Sequence, residues 1–191
     1  MASGKTRVWQ RVAWVFVAML VAAIVARRAG VSRLVHDLRQ PRAAATQTQG
    51  PAPGEVGARL ADFSFRDIAG REIGYEQLRG KVLLIDFWAT WCAPCKVEMP
   101  GYQELQERYG GRGLVVVGFA MDADAAAVRQ FAREMGIRYT LALSTPELQD
   151  KFGGILGLPT TIVVDRKGVI RKKVIGFEYK QSFETTLKEI L

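Results

Sequence analysis

Residues 81–88, Lys-Val-Leu-Leu-Ile-Asp-Phe-Trp, run after Lys81 through apolar side chains broken only at Asp86. A strand written this way has no solvent face, so it belongs in the middle of a sheet covered on both sides. That demand selects an α/β fold, a mixed central sheet flanked by helices. The rest of the pattern agrees. Phe63 and Phe65 alternate ahead of Ala69-Gly70 and Ile73, which predicts an N-terminal hairpin over 62–75. A helix is predicted from within 92–95 to about Arg108, with Pro100 kinking or interrupting it. Leu114–Met121 reads as a second buried strand. Asp122 and Asp124 are cap candidates for a helix ending at Gly136. A short strand over 138–143 follows, and Ser144-Thr145-Pro146-Glu147 has the form of a capping box. Thr160–Asp165 and Val169–Ile175 read as antiparallel strands around the turn Arg166-Lys167-Gly168, and residues 180–191 as a closing helix.

The charge is distributed unevenly. The chain of 191 residues carries 27 Lys and Arg against 19 Asp and Glu, a formal net charge of +8. Residues 1–53 hold eight of those basic side chains and a single acid, Asp37, which leaves 19 basic and 18 acidic groups over 54–191. A nearly neutral globular part argues against a nucleic-acid partner.

The basic tail surrounds an uncharged apolar run, residues 12–26, preceded by Lys5, Arg7 and Arg11 and closed by Arg27 and Arg28. As a helix these residues reach roughly 22 Å, short of the ~30 Å hydrocarbon core, but arginines at both ends can snorkel. A cleaved signal peptide has a passable site at Val21-Ala22-Ala23, and a buried soluble helix fits the length. An uncleaved signal anchor accounts for the charged start, the apolar core and the long tail together. The domains expected are therefore 1–28, a single membrane-spanning anchor in the lipid bilayer; 29–57, a flexible linker rich in small residues and proline; and 58–191, the folded domain. The arginine count does not fix which side of the membrane the domain occupies. His36, alone in the tail, is given no role.

Both cysteines lie in one Cys-x-x-Cys, Trp91-Cys92-Ala93-Pro94-Cys95-Lys96, directly after the apolar strand and at the start of a helix. Thiol–disulfide exchange needs a thiolate, and a helix N-terminus stabilises one. Cys92 reads as the exposed nucleophile that forms a mixed disulfide, and Cys95, further into the helix, as the thiol that resolves it. Lys96 adds a nearby cation, and Pro94 stiffens the turn. A structural zinc site needs four ligands, which two cysteines and one distant histidine do not supply, so no metal is expected. Covalent haem needs histidine where Lys96 stands. No cofactor is expected beyond the redox-active cysteine pair. Asp86, buried in its strand, should be paired or functional, with proton exchange with Cys95 its expected role. Glu98, three residues after Cys95, either does similar work or pairs with a base.

These residues resemble the thioredoxin superfamily, and within it the TlpA/ResA/DsbE-like membrane-anchored thiol-disulfide oxidoreductases. The resemblance runs from about Ala58 to Leu191 and rests on the stretch from Asp86 to Lys96, on Glu98-Met99-Pro100, and on Gly157-Leu158-Pro159-Thr160-Thr161. It implies a thioredoxin-like fold with a central insertion over Asp122–Phe152. It also implies a cis Pro159 facing the disulfide, with the Leu158 backbone offered to a substrate strand. Trp91, Pro94, Leu158 and Pro159 are then the substrate-contacting set. Relatives often carry Asn where Asp86 stands; here both acids are present. Relatives of the peroxiredoxin kind keep their cysteine in a different setting, and Cys95 argues against that reading.

The resemblance further implies a domain facing the periplasm or exterior. It would act there as a reductant of disulfide-bearing protein substrates, for example in cytochrome c maturation, and be recharged by a membrane thiol-transferring reductase. An oxidase or isomerase shares the same motif, and a tethered Cu(I) thiol chaperone is the non-enzymatic alternative.

Overall fold

A computed structural model describes residues 50–191, together with Trp14, Ala18–Val21, Ala23 and Ile24. Those seven tail residues are helical and exposed. Among the described residues no helix is long and apolar enough to cross a membrane. The rest of the expected anchor and most of the linker lie outside the described residues.

The folded unit begins with a two-stranded antiparallel hairpin, β1 (Ser64–Arg66) and β2 (Glu72–Gly74). The main sheet contains β3 (Val82–Trp88), β4 (Leu114–Ala120), β5 (Thr140–Leu143), β6 (Thr160–Val164) and β7 (Ile170–Ile175) in the order β5-β4-β3-β6-β7. β3 is central, parallel to β4 and antiparallel to β6, and all seven of its residues are buried. The continuous apolar run is therefore explained by position.

Alternation along β3 divides the core in two. Val82, Leu84 and Trp88 face a layer containing α1 (Ala93–Tyr109), α2 (Ala125–Met135) and α4 (Lys180–Ile190). Leu83, Ile85 and Phe87 face the hairpin and α3 (Pro146–Lys151). The second layer is built on aromatic rings: Phe119 lies 5.0 Å from Phe65 and 5.4 Å from Phe87, and Phe152 lies 5.4 Å from Phe63.

Several local expectations need correcting. α1 runs as one helix across Pro100, without interruption. Packing of Met99, Tyr102 and Leu105 onto the sheet holds the turn despite the missing N–H. The cap of α3 is Thr145, which accepts from Leu148 N–H, one residue later than a box on Ser144 requires. Asp124 caps α2 through the N–H groups of Ala126 and Ala127, and Gly136 closes that helix at positive φ. Asp122 is left free for another task.

The linker also ends earlier than composition indicates. Gly57 N–H donates to Ile170 O at 2.8 Å, and Glu55 pairs with Lys173 at 3.7 Å. Gly54, at φ +80°, passes so close to Phe152 that a Cβ would fall 1.8 Å from its carbonyl oxygen. Small residues here serve backbone-to-backbone packing, which composition alone does not distinguish from flexibility.

Candidate active site

β3 ends at Trp88 and the chain turns through Ala89-Thr90-Trp91 into α1. The turn is held from outside: Asp122 accepts from Thr90 N–H at 2.9 Å and from Thr90 Oγ1 at 2.5 Å. Nothing in the sequence distinguished this positioning role from the capping role first expected of Asp122. Its only signal was its place just after the neighbouring parallel strand.

Cys92 occupies the N-cap of α1 and is disulfide-bonded to Cys95. Cys92 Sγ accepts from Cys95 N–H at 3.3 Å. The helix thus directs a backbone donor at the sulfur that would carry charge on reduction, as helix N-termini do for thiolates. Cys92 is less open than expected, at 5% exposure against 0% for Cys95. Trp91 and Pro94 on either side of it are exposed. Lys96 is exposed too, its ammonium 5.7 Å from the Phe131 ring centre.

The register of β6 on β3 brings the distant motif to the same end of the sheet. Phe87 pairs with Thr160, so Pro159 comes opposite Trp88, just before the cysteine turn. The Leu158–Pro159 peptide is cis. Pro159 O accepts from Gly176 N–H at 2.7 Å, and Leu158 is half-buried.

On the α1 side of the sheet, where α1 continues from Cys95 through Glu98 to Tyr102, lies a buried polar group of five residues. Asp86 falls on the α1-facing side of β3, where alternation places Leu84 and Trp88. Its Oδ1 receives Thr161 Oγ1 at a long 3.4 Å, and its Oδ2 has no partner among the described residues. Thr161 Oγ1 lies 2.9 Å from Tyr102 Oη. The Tyr102 hydroxyl also acts on the Glu98 carboxylate. Glu98 Oε1 accepts from Glu178 N–H at 2.6 Å, while Oε2 lacks a close partner. Among the described residues no basic side chain lies within ion-pair distance of Glu98. Tyr139, its hydroxyl buried and without a partner among the described residues, faces the same region. Tyr102 and Tyr139 carried no motif signal, because a tyrosine at helical spacing, or just ahead of a strand, reads as core.

Both carboxyls respond to this setting. Burial pushes Asp86 well above the usual carboxylate range, the nearby Glu98 adds to the rise, and the Thr161 hydroxyl opposes it. Burial also raises Glu98, against the Glu178 N–H. An acid raised in the folded state favours folding when protonated, and that advantage is lost as pH climbs through its folded pKa. The urea midpoint should therefore fall as pH rises from about 4 to 9, and Asp86→Asn should remove most of that slope. Asp67 and Asp165, despite their burial, are held low by backbone N–H groups and by Arg71 and Arg171, so their losses fall at lower pH. A wild-type midpoint that stays flat across the interval would refute the assignment.

Comparison with known proteins follows the same lines. The AhpC/TSA family matches residues 56–173. Thiol-disulfide oxidoreductase ResA of Bacillus anthracis is 30% identical over 136 residues, covering 71% of this chain and 79% of that protein. Thioredoxin-like protein YneN of Bacillus subtilis (strain 168) is 35% identical over 140 residues, covering 70% and 79%. Among solved structures, a thioredoxin-family thiol:disulfide interchange protein from Chlorobium tepidum TLS superposes with a TM-score of 0.66 at 30% identity, over 71% of this chain and 97% of that one. A putative thiol:disulfide interchange protein DsbE from Chlorobium tepidum gives 0.66 at 26%, with the same coverage. The chain belongs to the AhpC/TSA family and, with its thioredoxin-like fold and paired cysteines, is a protein thiol-disulfide oxidoreductase of the ResA/DsbE type.

Proposed function

We propose that this oxidoreductase is held at the cytoplasmic membrane by its N-terminal apolar run, faces the periplasm or exterior, and reduces disulfides in protein clients such as those of cytochrome c maturation. The observation that carries the chemistry is the Cys92–Cys95 disulfide at the α1 N-terminus, with Asp86 on the adjoining strand and Glu98 on α1 both buried. The Cys92 thiolate attacks one sulfur of a client disulfide, forming a mixed disulfide and expelling the other sulfur as thiolate. Cys95 then loses its proton and attacks Cys92 Sγ, which closes the internal disulfide and frees the second client thiol. Two electrons pass to the client. Asp86 takes up the Cys95 proton and Glu98 exchanges it outward, since burial makes each carboxylate a stronger base than it is in water. Trp91, Pro94 and Leu158 supply the client's contacts. Leu158 N–H makes no backbone hydrogen bond among the described residues, which leaves it open to an incoming strand. Pro159 sets the direction of that backbone, and a membrane thiol-transferring reductase returns the disulfide to the dithiol.

Equilibration of the full chain with glutathione buffers tests the direction of transfer. A potential more negative than about −200 mV is expected; one near about −120 mV, the strongly oxidising end, would make the protein an oxidase. For the location, protease added to intact spheroplasts should digest the domain, and protection would place it inside.

A further inference from the structure

Residues 54–191 are nearly neutral in sum, yet cations concentrate at the end of β3 remote from the disulfide. There a cavity of about 180 Å³ is lined by Arg59, Asp62, Tyr75, Arg79, Arg166 and Lys167. Asp62 is already engaged by Arg79 at 3.0 Å, and Arg79 is shared with Glu76. Arg59 and Lys167 meet no carboxylate within ion-pair distance among the described residues.

The cationic groups are oriented rather than loose. Arg59 donates to the Lys167 carbonyl, and Arg166 to the backbone oxygens of Gly80, Arg112 and Leu191 at 3.0, 2.7 and 3.2 Å. The Arg79 guanidinium sits 5.6 Å from the Tyr75 ring centre. Gly168 turns at φ +77°, which favours glycine, and its bare backbone leaves room for the Tyr75 hydroxyl, 2.4 Å from where a Cβ would stand. Guanidinium forks match carboxylate and phosphate oxygens alike, and the ammonium and hydroxyl beside them in this small space add donors for the further oxygens that a phosphate carries. The volume is below that of a typical drug-sized ligand pocket and accommodates a single phosphate group.

We propose that this pocket binds a phosphate group, either free or as the headgroup of an anionic lipid. The tail joins the fold beside it: Gly57 N–H bonds Ile170 O, and Arg59 bridges Val169. The residues leading to that junction include Arg27, Arg28, Arg33, Arg39 and Arg42. The seven-residue strand β3 separates the pocket from the cysteine turn by roughly 20 Å. A headgroup seated there leaves the disulfide end of the sheet free for soluble clients.

The full chain in neutral detergent micelles, titrated with inorganic phosphate at constant ionic strength, should show saturable amide NMR shifts at Gly80, Lys167 and Gly168. The same amides are then followed in nanodiscs of phosphatidylcholine with and without phosphatidylglycerol. Shifts in the phosphatidylglycerol discs assign the lipid source, and shifts with inorganic phosphate alone assign a soluble one. Replacing Arg59→Gln and Lys167→Gln together should weaken either response about tenfold or more while leaving disulfide turnover with a soluble dithiol unchanged. No saturable shift in either arm, an equal response to chloride, or unchanged affinity in the double variant would overturn the proposal.

Discussion

Cys92→Ala is expected to reduce turnover to the background of the free dithiol, whereas Cys95→Ala should stop after one client equivalent, held as a mixed disulfide. The difference follows from position. Cys92 is the N-cap sulfur that receives the Cys95 N–H, and of the two it alone keeps any exposure. A thiolate formed at Cys92 is stabilised by the helix and can reach a client. Cys95 is fully buried, so without Cys92 it has no access to a substrate disulfide. With Cys92 present and Cys95 absent, nothing within the protein resolves the mixed bond. Non-reducing electrophoresis and mass spectrometry of each variant, incubated with a disulfide-bonded protein, read both outcomes. Trapping by Cys92→Ala at the level seen for Cys95→Ala would reverse the assignment. The trapped adduct also identifies the client, whose choice lies in the surface around Trp91, Pro94 and Leu158.

Phe152→Ala should cause the largest loss of stability, about 3–5 kcal/mol. The ring is fully buried, with its centre 5.2 Å from Phe87, 5.4 Å from Phe63 and 6.2 Å from Phe119. It thus touches the central strand, the segment leading into the hairpin and β4. Its backbone oxygen abuts Gly54 and accepts from Lys173 Nζ at 3.3 Å, so the neighbouring chain cannot readily collapse into the space. For a unit of this size the melting temperature should fall by about 10 °C or more, with little change in the urea m-value. Phe177→Ala, at a ring 42% exposed, should change stability far less and serves as the control. Equal losses for the two would show that the aromatic layer is not the main store of stability on this face.

Much of the fold could be read from periodicity and punctuation. The apolar run of β3, the alternating pair Phe63 and Phe65, Asp124 and Gly136 around α2, and the turn at Arg166–Gly168 are local features whose physics is complete within a few residues. The corrections arise where a long-range term outweighs a local one. Pro100 disfavours a helix, yet the buried face of α1 carries the helix through it. The stretch around Gly54 has the composition of a linker, yet it is fixed by contact with residues about a hundred positions later.

The sequence by itself determined the reaction class, because the two cysteines occur together at a strand-to-helix junction and both the nucleophile and the resolving thiol are set by adjacent positions. Tertiary structure decided what surrounds them. Pro159 reaches the cysteine turn only through the antiparallel register of β6 on β3. Asp122 holds Thr90, and Thr161 and Tyr102 stand between Asp86 and Glu98, through packing of elements far apart in the chain. Burial and mutual proximity raise those acids, and both depend on where the sheet and α1 meet rather than on either residue's neighbours in sequence.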